Sequence, residues 1–125
     1  MRRLRAPVIR PLLAETALSK NDLVAPVFID ETAQKQKSIE SMPGQVRYPL
    51  AEAGTVARDL WDAGIRALLL FGIPRKKDEQ ASCAFDPNGI VQKAVRAVKR
   101  EVPEMVVITD VCACEYTDHG HYGIV

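Results

Sequence analysis

Long apolar runs, net charge and cysteine are all scarce in this 125-residue chain. No uninterrupted apolar stretch approaches the ~20 residues that a membrane-spanning helix needs, so a helical span is excluded. A formal net charge of +1 argues against a dedicated nucleic-acid binder. Arg2, Arg3, Arg5 and Arg10 cluster near the start, but no aromatics lie between them to stack on bases. Three cysteines, two of them in a C-x-C pair, are no disulfide framework. They fit a reducing, cytoplasmic setting. The basic N-terminus has no apolar h-region, so no secretory signal is read there. No repeat or Gly/Pro/Ser-rich tract points to a fibre, linker or solenoid.

What is present is an ordinary globular composition, 47% apolar and 26% charged, in a length that suits one domain. Residues 1–20 read as an arm. Pro7 and Pro11 prevent a continuous helix, although a short turn over Pro11–Thr16 is compatible with proline at a helix start. Val8, Ile9, Leu12 and Leu13 would be wasted on a solvated tail, which favours docking on a neighbouring subunit over simple fraying.

Residues 21–125 carry a regular alternation. Leu23–Ile29 (LVAPVFI) is a short apolar run that reads as a buried strand despite Pro26. Asp30–Tyr48 is a polar connection with a turn at Met42-Pro43-Gly44. Leu50–Ala63 has helical spacing, with Ala53, Val56, Ala57, Leu60 and Trp61 on one stripe and Gly64 where a terminating glycine belongs. Ala67–Gly72 (ALLLFG) is a second strand, and Pro74–Ser82 a charged loop. Asp86-Pro87 predicts an N-cap and first helical residue for a helix that Pro103 stops. Met105–Val111 is a third strand.

Strand, helix, strand, helix, strand means a parallel βαβαβ unit with right-handed crossovers, an α/β fold. Two helices cannot cover both faces of its sheet, and three strands cannot close an eight-stranded barrel. The uncovered apolar face predicts self-association.

The chemistry lies in residues 110–121, Asp-Val-Cys-Ala-Cys-Glu-Tyr-Thr-Asp-His-Gly-His. They follow the third strand, at the end where α/β folds place their sites. Cys112 and Cys114, two apart on an extended segment, can converge on one soft metal ion as thiolates. His119 or His121 can complete that site or start a second one. The nearby carboxylates and imidazoles can also move protons. The alternative is two inert buried cysteines with loop histidines bonded to backbone. Cys83 reads as a partly buried small residue, Trp61 as core, and all seven lysines as surface amines off the strand ends.

The string DVCACEYTDHGHYGIV closely resembles the metal-site segment of porphobilinogen synthase, also called 5-aminolevulinate dehydratase. The blocks RRLR, ETALSKNDLVAPVFI, SMPGQVRYPL, ALLLFGIP, KDEQAS, FDPNGIVQKAVRAVK and VVITDV are similar, in order, to that family's N-terminal portion. The resemblance implies a (β/α)8 TIM barrel, here only partial, with an arm that embraces a neighbour in a homo-oligomer. It implies the condensation of two 5-aminolevulinate molecules to porphobilinogen, in tetrapyrrole and haem biosynthesis. In zinc-dependent members three cysteines of this segment bind the metal. Cys112 and Cys114 match the first two, while Tyr122 stands at the third, which weakens the case for zinc. His121 matches a second-metal ligand of some members, and Asp110 an acid at the active-site rim, where the resemblance places Tyr122 as well.

The family's two Schiff-base lysines belong to later barrel strands and have no counterpart among these 125 residues. Such a lysine activates a carbonyl as an iminium and needs a lowered pKa. The expected function is therefore a lyase-family, half-barrel-like homologue that is inactive alone, self-associating and metal-binding through Cys112, Cys114 and His121. No catalytic residue is assigned. A full-length synthase subunit is a further candidate partner. Two other readings remain: a fragment or split subunit of an active synthase, and a small zinc- or redox-sensing module.

Overall fold

A computed structural model describes residues 7–121. Its elements are β1 (Val24–Asp30), β2 (Lys37–Ser38), β3 (Val46–Pro49), α1 (Ala53–Asp62), β4 (Ala67–Ile73), α2 (Ser82–Phe85), α3 (Ile90–Glu101) and β5 (Val106–Thr109). The sheet order is β2-β3-β1-β4-β5. β1 pairs in parallel with β4, β4 with β5, and β3 with β1, while the short β2 runs antiparallel to β3.

The three strands read as apolar runs are thus β1, β4 and β5, adjacent and in chain order. Val27 and Ile29 of β1 and Leu68 and Leu70 of β4 are buried in one cluster with Ala53 and Ala57 of α1 and Ile90, Ala94 and Val98 of α3. Both crossover helices therefore cover the same face. Sequential parallel strands with every helix on one side are the curling arrangement of a barrel. A doubly wound sheet distributes its helices over both faces.

The opposite face is open and apolar. Register pairing aligns Val24, Ala67 and Val106 in one row, and Pro26, Leu69 and Ile108 in the next. Phe28 pairs with Phe71 in a third row, their rings stacked 5.0 Å apart. Val24 is 47%, Val106 53% and Ile108 42% exposed.

Pro26 sits in β1 without breaking the ladder. The Glu31 amide donates to Ile73 of β4, so by alternation the even-numbered residues face away from β4. On that side β3 begins pairing only at Phe28, and the missing N–H of Pro26 leaves no acceptor stranded.

Before the end of β5, the structure differs from the sequence expectation in four places. The polar connection after β1 contains the β2–β3 hairpin, so part of the β1 edge is occupied. The first helix opens with a 3-10 turn over Leu50–Glu52 before α1. The charged loop ends in the additional short helix α2. Asp86 does not cap α3: its carboxylate accepts from the Asn88 amide, closing a separate turn, and α3 starts after Gly89.

The expected stop at Gly64 is observed. Its φ is +94°, and the Gly64 and Ile65 amides donate to Trp61 and Leu60, the paired bonds of a Schellman end. Lys20 adds a bond to the Ala63 carbonyl at 2.9 Å. In the arm, a 3-10 turn covers Arg10–Leu13, while Val8, Leu12, Leu13 and Leu18 are exposed.

Candidate functional site

The segment after β5 is built by local bonds. The Asp110 carboxylate accepts from the Cys112 amide at 3.1 Å, an Asx turn that lifts the chain out of the strand. The Cys112 sulfur accepts from the Cys114 amide at 3.4 Å. The Tyr116 and Thr117 amides both donate to the Ala113 carbonyl, closing the turn that presents the two cysteines. The third-strand expectation ran to Val111, whereas β5 stops at Thr109. The Asx turn accounts for the shorter strand.

Two buried side chains anchor this turn. Tyr116 is 8% exposed, and its hydroxyl lies close to Gly72 of β4. The Tyr116 carbonyl accepts from the Asp78 amide, joining the turn to the loop after β4. Thr117 is 2% exposed. Its hydroxyl reaches the His121 carbonyl at 3.0 Å and the Cys114 carbonyl at 3.4 Å.

Cys112 and Cys114 are free and half-buried. The hydrogen bond between their side chains pushes the Cys114 thiol above its ordinary value, with burial adding to the effect. Burial raises the Glu115 carboxyl, helped by Asp110 and opposed by Lys77. Burial also raises the Tyr116 phenol, followed by the charge of Glu115. A cavity of about 360 Å³ opens beside the turn, with Gln92, Asp110, Cys112, Tyr116 and the exposed Phe85 in its lining.

The two thiols are therefore brought together, as the C-x-C spacing requires. Among the described residues, no three His, Cys, Asp or Glu side chains converge as a metal site. His121 does not join the thiols: its amide donates to Nδ1 of His119 at 3.2 Å, and the two rings stack 6.1 Å apart. Tyr122 lies outside the described residues. A thiol pair suits the soft half of a zinc site, but two donors do not close one. Asp110 directly follows β5, at the C-terminal end of the parallel strands. Cys83 donates to the Lys76 carbonyl on a neighbouring loop. Tyr116 and Thr117 carry no marker in the sequence, because their importance lies in burial.

The model of the family described as delta-aminolevulinic acid dehydratase matches residues 1–125. The chain belongs to the delta-aminolevulinic acid dehydratase family. It is 54% identical to the delta-aminolevulinic acid dehydratase of Methanothermus sociabilis over 100% of this chain and 39% of that protein. Against the Escherichia coli enzyme of the same name, the identity is 44% over 98% of this chain and 38% of that protein. A crystal structure of the dehydratase from Toxoplasma gondii, in complex with its reaction product porphobilinogen, superposes with a TM-score of 0.89 at 27% identity. It is matched over 99% of this chain and 36% of its own. The chain thus corresponds to the N-terminal portion of dehydratase barrels and spans about two fifths of the length of these relatives. The open apolar face corresponds to a partial barrel.

Proposed function

We propose that these 125 residues are a partial barrel of the dehydratase family that does not catalyse porphobilinogen formation alone and associates through its uncovered face. The placement of the lysines is the observation that carries the reading. None lies on a parallel strand. Lys20 caps α1 through the Ala63 carbonyl. Lys93 pairs with Glu31 at 3.6 Å. Lys99 donates to the Pro103 and Met105 carbonyls. Lys35, Lys37, Lys76 and Lys77 are exposed. An iminium-forming amine needs a desolvated site, and none of the seven lysines is buried.

The chain's contribution to such a reaction would be the thiol pair and Asp110 at the strand ends. The missing lysines would come from further strands, whether covalently continuous or on a partner subunit. Zinc remains a proposal for Cys112 and Cys114, with at least one further ligand required; His121 would have to turn toward them to supply it. A cytoplasmic setting fits the free thiols. The test is turnover: the purified chain with zinc and 5-aminolevulinate, assayed for porphobilinogen. No product is expected, and a saturable rate overturns the proposal.

A further inference from the structure

We propose that Thr117 is a positioning residue whose buried hydroxyl ties the thiol-bearing turn to the histidine segment and so holds Cys112 and Cys114 in place. Of the other bonds that shape the turn, the one between the Asp78 amide and the Tyr116 carbonyl reaches a different loop, and the rest are local. The Asp110 and Cys112 side chains accept from amides two residues onward, and such contacts move with the turn. Thr117 is different. At 2% exposure, its hydroxyl cannot turn to bulk water, and it lies between the Cys114 carbonyl behind it and the His121 carbonyl ahead. A hydroxyl has one proton, so it donates to one carbonyl at a time. The 3.0 Å contact to His121 is the shorter, and the Cys114 carbonyl is the local alternative three residues back. Removing the hydroxyl would leave the His121 carbonyl to find water, which opens the segment beside the thiols.

The inference rests on reading the thiol pair as the functional centre of the chain. Its test reports position and not turnover, so the two can fail separately. In the full 125-residue chain, iodoacetamide modification of each cysteine is followed by mass spectrometry. The variants are Thr117→Val, which keeps the shape without the hydroxyl, and Thr117→Ser, which keeps the hydroxyl. Cys83, bonded to the Lys76 carbonyl in the loop that Asp78 joins to Tyr116, reports whether that Tyr116 anchor loosens as well. In Thr117→Val the Cys112 and Cys114 rates rise about tenfold, the scale of one lost hydrogen bond. Cys83 stays at its wild-type rate, and Thr117→Ser restores the slow rates. Unchanged Cys112 and Cys114 rates in Thr117→Val overturn the proposal. So does an equal rise at all three cysteines. If Thr117→Val and a further variant, Thr117→Ala, both fail to fold by circular dichroism while Thr117→Ser folds, it is also overturned, because the hydroxyl then holds the domain and not the thiols.

Discussion

Replacing Gly72 with alanine tests how the sheet, α3 and the thiol-bearing turn fit together. A Cβ at residue 72 would lie 2.5 Å from Cγ2 of Val91 and 2.9 Å from Cγ2 of Ile90, with the Tyr116 hydroxyl at 3.5 Å. Both methyls belong to β-branched side chains in the first turn of α3, where χ1 has little freedom. They cannot swing aside, so the helix start must move. Overpacking of this kind costs ~2 kcal/mol. The entropy gained by removing a strand glycine offsets only about 0.5–1 kcal/mol. The net sign is destabilising, and the midpoint of thermal unfolding falls by roughly 5 °C for a chain of this size. Urea unfolding followed by circular dichroism measures the loss. Adding Val91→Ala makes room for the new methyl, so the double variant should lose at least ~1 kcal/mol less than the sum of the single ones. A Gly72→Ala stability within ~0.5 kcal/mol of wild type, or strict additivity with Val91→Ala, would refute the packing described here.

Three further outcomes are expected. Gly64→Ala should cost ~1 kcal/mol or more in denaturant unfolding, because residue 64 has φ +94° and its Cβ would meet Cδ of Lys20 at 2.9 Å; no measurable change would discount the helix end as drawn. Burial acts to raise the Asp30 carboxyl, but bonds from the Thr32 hydroxyl and amide, with the charge of Arg47, outweigh it and leave it below the ordinary value of 3.8. A depressed folded-state value means that the stabilisation is present above pH 3.8 and lost as pH falls through the folded value, so Asp30→Asn should flatten the acid limb of the stability profile, and an unchanged limb would contradict this. Light scattering at micromolar concentration should find an assembly larger than the monomer, reduced by Ile108→Asp on the open face; a stable monomer of wild type counts against association through that face.

The parts of the fold legible in the sequence are those with long, uniform signals. Leu68–Leu70 and Val27–Ile29 read as strands because a buried parallel sheet tolerates continuous apolar runs. α1 and α3 read as helices because Ala53, Ala57, Ala94 and Val98 recur at the helical period. The β2–β3 hairpin escaped because two polar residues, Lys37 and Ser38, pair with a strand ending in Pro49, and pairing of that length leaves no pattern. The start of α3 was misplaced because Asp86-Pro87 serves two purposes: the same pair that opens a helix also closes the Asx turn onto Asn88. At the site, the C-x-C spacing disclosed the thiol pair because adjacency along an extended segment survives folding. Tyr116 and Thr117 escaped because their roles depend on Gly72, Asp78 and His121, which only the fold assembles around them.

We propose that the chain has the family's partial barrel without its lysine chemistry. The most direct test is a Schiff-base trap: incubation with 5-aminolevulinate, reduction with borohydride, and measurement of the intact mass. The unmodified mass is expected at every substrate concentration. A single, saturable adduct on any one of the seven lysines would contradict the proposal.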